Sequence, residues 1–292
     1  MIRALLVEAR PRQWTKNLVL FAGVIFARRY GDLHFVLASL AAFALFCLLS
    51  SGVYLLNDLA DLPNDRLHPR KRTRPLAAGR IGRGPVVAAA VIALAGGAGL
   101  SFLLRPVFGV IALVYLILNL AYSAGLKRIV ILDVLAIAVG FVLRAVAGVE
   151  ALPERVEISP WLLVCTFFLA LFLAIGKRRA ELAARDGGSA SRPVLGEYSL
   201  PLLDQMIAIV TSATIIGYSI YTVNPSTVEK YDTKALVFTI PFVVFGIFRY
   251  LYLVYRRDAG GNPTEVLITD GPTLATVVLW SVAVFVILTT LP

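Results

Sequence analysis

Long apolar runs, separated by short clusters of charge, glycine or proline, recur from one end of this chain to the other. Read between those breaks, the pattern predicts nine helices, near 15–29, 34–59, 85–104, 107–123, 130–149, 159–176, 200–222, 235–256 and 273–291. Segments of this kind are long enough to cross a hydrocarbon layer about 30 Å thick. The first is the least regular. Its apolar core, LVLFAGVIFA, is short, so Lys16, Arg28 and Arg29 must reach the interface along their own aliphatic stems. The fold class that follows is an all-α polytopic membrane protein, read as a single transmembrane domain over 1–292.

Charge then orients the bundle. With the N-terminus inside, 21 Lys/Arg residues fall in the inside segments and 6 outside, with Arg144 within the fifth helix. Cytoplasmic loops are enriched in Lys and Arg, so this split favours nine crossings and a cytoplasmic N-terminus. The composition agrees: 59% of residues are hydrophobic and 16% charged. The net charge of +10 is therefore read as membrane topology, and nucleic acid is not expected as a partner. The start, MIRALLVEARPRQWTKN, has too short an apolar patch to read as a signal peptide. Cys47 and Cys165 lie in apolar runs and suggest neither a disulfide nor a metal site. The polar inside loops near 57–84, 122–130 and 176–199 place any active site on the cytoplasmic face.

The loop after the second helix, NDLADLPNDRLHPRKRTRPLAAGR, carries the chemistry. Asp58, Asp61 and Asp65 are spaced i, i+3, i+7, one face of a continuous helix to within about 60°. Pro63 makes one straight helix improbable and moves Asp65 onto a following turn. Carboxylates at a helix C-terminus face the negative end of its dipole, and three together repel. They call for a cation. Oxygen ligands with no clustered His or Cys suit Mg²⁺, which takes one or two carboxylates together with substrate phosphates. The basic run of Arg66, Arg70, Lys71, Arg72, Arg74 and Arg80 mostly serves topology, with Arg74 singled out as a phosphate ligand. His34 falls outside and His68 has no evident partner, so no catalytic histidine is expected.

NDLADLPND resembles the NDxxDxxxD motif of the UbiA-type intramembrane prenyltransferases, and RTRPLAAGRI fits the same family. The resemblance implies a nine-helix bundle that binds a Mg²⁺–diphosphate at Asn57, Asp58, Asp61 and Asp65. Within the family, RPRQWTKN, YSAGLK, DVLAIAVGFVLRAVAG and AIGKRRAEL most resemble the decaprenyl-phosphate phosphoribosyltransferase branch. Prenyl-transferring members have a second acidic motif after the sixth helix. Here that loop begins GKRRAELAARD, with Lys177, Arg178 and Arg179 where the acid is expected. One acidic and one basic motif imply one Mg²⁺–diphosphate, from phosphoribosyl diphosphate, and a second phosphate on a polyprenyl phosphate lipid, a step toward cell-wall arabinan. The same resemblance turns Lys16, Asn17, Tyr122, Lys127, Lys177 and Arg178 toward substrate contact. Glu181 is either a further metal contact or an i+4 partner of Lys177. Arg144 is expected to be structural, and Asp133 to pair with Lys127 or Arg128. The rivals are prenyl transfer to an aromatic or haem acceptor and, less well supported, a cation-coupled transporter, whose acids belong near the bilayer midplane. A homo-oligomer is left open.

Overall fold

The computed structural model describes residues 2–67, 71–157, 159–184, 193–257, 261 and 263–290. These are helical with no strand among them. Eight helical stretches are long and apolar enough to cross a membrane. They are α3 (Leu33–Ala60), α5 (Arg83–Leu104), α6 (Pro106–Ala124), α7 (Leu132–Glu150), α8 (Pro160–Ala183), α9 (Leu200–Val223), α11 (Ile240–Arg256, led in by a 3₁₀ turn at Ala235–Thr239) and α13 (Gly271–Thr290). Shorter helices fill the connections: α1 (Ile2–Glu8), α2 (Ala22–Phe26), α4 (Leu62–Leu67), α10 (Pro225–Tyr231) and α12 (Pro263–Thr269). Large side chains such as Leu103, Ile92 and Ile209 stand exposed on the long helices, a surface suited to hydrocarbon and poorly suited to water.

The expected first span differs most from expectation. Residues 15–29 are not one α-helix; the chain runs as a 3₁₀ helix from Pro11 to Phe21 and then as the short α2. Three residues per turn stack side chains at i, i+3 and i+6. Trp14, Asn17 and Leu20 therefore form a single stripe, and that stripe lies against α3: Trp14 donates from Nε1 to Ser51 at 3.0 Å, and Asn17 and Leu20 are fully buried. The eighth expected span was right in extent, though its first turn is 3₁₀. The sixth runs two turns further than expected, to Ala183, because no helix breaker intervenes after Gly176.

The described chain divides into two compact units, 1–126 with 140–157, and 127–139 with 158–292, so that α7 contributes to both. In the first unit α3 packs on α5, α6 and the 3₁₀ segment. Phe46 of α3 centres that core, 5.6 Å from the Phe108 ring and 5.1 Å from the Tyr115 ring. In the second, α8 packs on α9, and α11 on α9 and α13. There Phe172 meets Tyr250 edge-on at 5.3 Å, and Trp280 donates to the Tyr218 hydroxyl at 2.9 Å.

One close approach holds the 3₁₀ segment in place. A Cβ on Gly148 of α7 would lie 2.1 Å from the Leu20 carbonyl oxygen, and one on Gly23 would lie 2.5 Å from the Gly148 carbonyl oxygen. Two backbones meet here with no space for a side chain. Gly148→Ala is expected to cost about 1–3 kcal/mol through forced backbone movement, read as a lower unfolding temperature in detergent. Gly84, whose Cβ would meet nothing within 4 Å, is the matched control; Gly84→Ala is expected to be neutral or stabilising by up to about 1 kcal/mol.

Candidate active site

α3 is 28 residues long, about 42 Å at 1.5 Å per residue, longer than the apolar layer requires. Asn57 and Asp58 lie in its last turn. The helix closes at Asp61, and α4 restarts at Leu62 with Pro63 in its first turn, a position proline tolerates. The break predicted at Pro63 is thus observed. Asp65 falls on α4, and its N–H donates to the Asp61 carbonyl at 2.9 Å.

Asp58 and Asp65 are buried, at 3% and 2% exposure, and Asp61 is half-buried. The two buried carboxylates converge on one guanidinium nitrogen. Arg74 Nη1 donates to Asp58 Oδ1 at 3.0 Å and to Asp65 Oδ2 at 2.5 Å. Arg10 also donates to Asp58 Oδ1, and Lys71 Nζ lies 3.3 Å from Asp65 Oδ1. Arg10 arrives from a left-handed turn between α1 and the 3₁₀ helix, and its guanidinium rests over the Tyr54 ring at 5.0 Å. Glu8, 1% exposed, accepts from the Leu76 N–H at 2.6 Å, which fixes the loop that carries Arg74, and its carboxyl lies beside that of Asp58.

The donor set was compared with the metal it suggests. Among the described residues no three acidic, His or Cys side chains gather around one point. Two carboxylates do, and each keeps one buried oxygen, Asp58 Oδ2 and Asp65 Oδ1, that accepts no hydrogen bond. Buried anionic oxygens without donors are costly unless a cation completes them. The pair fits an Mg²⁺ ion that takes its remaining ligands from phosphate and water, and does not fit a three-carboxylate cage.

The second unit contains a separate polar cluster. Arg178 is 1% exposed and donates from Nε to Asp133 Oδ2 at 2.6 Å and from Nη1 to Glu181 Oε2 at 2.9 Å. Tyr198 donates to Asp133 Oδ1 at 2.7 Å and accepts from the Ile131 N–H at 2.7 Å. Burial first, and the neighbouring Asp133 second, push the Tyr198 phenol up, so it remains a donor. Asp133 therefore pairs with Arg178 and Tyr198 rather than with Lys127 or Arg128. Lys177 stays half-exposed, with Nζ 3.8 Å from Glu181, the i+4 pairing expected.

Arg144, for which a structural role was expected, is engaged within the fold. It donates to Asn17 Oδ1 at 2.8 Å, to the Tyr115 hydroxyl at 2.6 Å and to the Gly140 carbonyl at 3.1 Å. Asn17 completes the network through Cys47 and Ser50, both at 3.3 Å. Two residues expected to touch substrate have fixed partners in this structure: Asn17, fully buried, accepts from Arg144, and Arg178 pairs with Asp133. In both cases the polar group is engaged because an unpaired one there would be expensive. Lys16, Asn57, Tyr122 and Lys127 are all partly exposed. Arg70 and His68 lie outside the described residues. Glu8 and Tyr54 were missed, and Arg10, although it opens RPRQWTKN, was assigned no contact of its own; only the folding back of the N-terminal segment brings it to Asp58.

The chain matches the UbiA prenyltransferase family over residues 17–264. It is 33% identical to the decaprenyl-phosphate phosphoribosyltransferase of Mycolicibacterium smegmatis, over 92% of this chain and 87% of that protein. It is 35% identical to the enzyme of the same name from Corynebacterium glutamicum, over 92% and 81%. Its fold is shared with a UbiA homologue from Archaeoglobus fulgidus bound to DMAPP and Mg²⁺, with a TM-score of 0.73, 19% identity, and 98% and 99% of the two chains covered.

The burial of Arg178 has a direct consequence. Arg178→Met leaves Asp133 uncompensated and is expected to cost about 3–5 kcal/mol, seen as a large drop in unfolding temperature. Adding Asp133→Leu should restore much of it. Wild-type stability with a raised KM would instead mark Arg178 as a substrate ligand.

Proposed function

The chain belongs to the UbiA prenyltransferase family and is a transferase, and we propose that it moves 5-phosphoribose from phosphoribosyl diphosphate to a polyprenyl phosphate. The observation that carries this reading is the named relatives' similarity across nearly the whole chain. The motif chemistry supports it independently: an acidic pair at α3–α4 and a basic run, GKRR, where prenyl-transferring members have acids. The product would be a polyprenyl phosphoribose, as in cell-wall arabinan synthesis, with diphosphate released.

Asp58 and Asp65, with Asp61 alongside, are the residues that would hold Mg²⁺, which when bound supplies charge neutralisation to the diphosphate leaving group. Arg74 takes the diphosphate oxygens, its planar fork being suited to them. The bond from ribose C1 to the diphosphate oxygen breaks, and the electron pair leaves with the diphosphate. An oxygen of the lipid phosphate forms the new bond to C1, which passes through oxocarbenium character as in glycosyl transfer. That oxygen is already ionised near neutral pH, so no general base is required. Lys127 and Lys177 are assigned to the acceptor phosphate on charge, and Lys16, Asn57 and Tyr122 to substrate contact.

The proposal also covers topology. It places a multi-pass protein in a bacterial plasma membrane, with the N-terminus and the active site cytoplasmic, and with residues 11–26 as a ninth crossing. An 11-residue 3₁₀ stretch at about 2.0 Å per residue and five α-helical residues at about 1.5 Å reach roughly 30 Å. That reach supports nine spans. The family match runs across both units, which supports one catalytic domain.

The rival is transfer of an isoprenoid, which the family's name and the DMAPP-bound homologue favour. Purified protein with Mg²⁺ is offered labelled phosphoribosyl diphosphate plus polyprenyl phosphate, and separately a prenyl diphosphate plus aromatic acceptors. Label is expected in lipid in the first mixture. Product only in the second would establish prenyl transfer instead. Asp58→Asn is expected to lower the first activity at least about 100-fold, or roughly 2.7 kcal/mol of barrier, and full activity there would refute the metal assignment.

A further inference from the structure

The charges around Asp58 are already balanced before any metal arrives. Three buried acids, Glu8, Asp58 and Asp65, face Arg10, Lys71 and Arg74. Half-buried Asp61 adds one further negative charge. A dication entering alone would leave the cluster net positive in a setting that screens poorly. Either a basic group withdraws or an anion enters with the metal.

The three basic groups are not equally placed to withdraw. Arg74 bridges Asp58 and Asp65, and its loop is held by Glu8 through the Leu76 N–H. Arg10 contacts Asp58 alone, on Oδ1, beside the free Oδ2. Exposure does not separate the three, at 27%, 29% and 42% for Arg10, Arg74 and Lys71, but Lys71 pairs with Asp65 and Arg74 with both acids, so Arg10 alone is held by Asp58 only. The guanidinium also stacks on Tyr54, one turn before Asp58 on α3, and can turn about that ring while keeping its π contact. The segment behind it is pinned, since Ser51 donates to the Ala9 carbonyl at 3.0 Å and accepts from Trp14. The head can move while its root stays in place.

We infer that Arg10 is an exchangeable counter-ion: it holds Asp58 in the metal-free protein and transfers to the diphosphate when metal and diphosphate bind together. The inference rests on the metal–diphosphate reading above and assigns a role to a residue outside its acidic motif. The exchange makes metal alone a poor ligand and metal with diphosphate a good one, a positive coupling between the two.

Two binding measurements on the full chain in detergent test it. Mn²⁺ alone is titrated by the loss of its free EPR signal, and labelled inorganic diphosphate is titrated at a fixed, saturating free Mg²⁺ concentration. Arg10→Gln is expected to bind Mn²⁺ about fivefold or more tightly and diphosphate about fivefold or more weakly than the wild type. Opposite signs identify the exchange, because a loosened site would weaken both. Arg10→Lys, which restores the charge, should return Mn²⁺ affinity toward the wild-type value. If Arg10→Gln binds Mn²⁺ no more tightly, or diphosphate no more weakly, the inference is overturned. Should that variant not fold, Tyr54→Leu reads the same exchange, since it releases the guanidinium from its ring with every charge kept. Mn²⁺ affinity then rises, and no rise overturns the inference. Asp58→Asn separates the two claims: Mn²⁺ binding retained there overturns the metal reading itself, whereas a wild-type response in Arg10→Gln overturns only the exchange.

Discussion

A carboxylate buried at the C-terminal end of an apolar helix is unstable on two counts, loss of hydration and the negative end of the helix dipole. Asp58 meets both conditions and Asp65, in the first turn of α4, meets the first, and much of the first unit is arranged to relieve them. The N-terminal segment folds back so that Arg10 reaches Asp58, the loop after α4 turns so that Arg74 reaches both acids, and Lys71 approaches Asp65. Glu8 ties these pieces together by holding the Arg74 loop through a backbone N–H. Asp58 Oδ2 and Asp65 Oδ1 still accept no hydrogen bond, although Lys71 stands near the second, so the compensation is incomplete. A stable but incomplete charge balance is what the proposed site would need in order to admit and release a doubly charged ligand.

The same constraint recurs deeper in the apolar segments with the opposite sign of charge. Arg144 is satisfied by Asn17, Tyr115 and a carbonyl of its own helix, with the rings of Tyr115 and Phe141 stacked against it. Arg178 is satisfied by Asp133 and Glu181. Both arginines tie segments together. Through them two residues with attractive motif positions, Asn17 and Arg178, have fixed partners in the fold, where substrate contact was expected of both. A polar side chain near the end of a long apolar run can serve either purpose, and the deciding factor is whether a fixed partner reaches it.

The unusual 3₁₀ path of residues 11–21 brings half-buried Trp14 and buried Asn17 and Leu20 to one side at a spacing of three. An α-helix would rotate Asn17 about 60° and Leu20 about 120° away from the line through Trp14. The close approach of Gly148 then sets the depth at which the segment sits, and through Trp14 and Ser51 the position of Arg10.

Hydrophobic periodicity was enough to place eight of the long helices to within a few residues, or two turns in the case of α8, because length and apolarity are local properties. Spacing and proline chemistry likewise placed the acids, the break at Pro63 and the shift of Asp65 onto the next turn, since these depend on neighbours in sequence. The first span escaped that reasoning because its conformation answers to packing on α3 and α7. The partners of the charges escaped it as well. Arg10 meets Asp58 across 48 residues, Arg144 meets Asn17 across 127, and Arg178 meets Asp133 across 45. Which residues are charged is written locally. Which charges meet is decided by the chain's return on itself, because the cost of burying a charge depends on what else is brought to the same place.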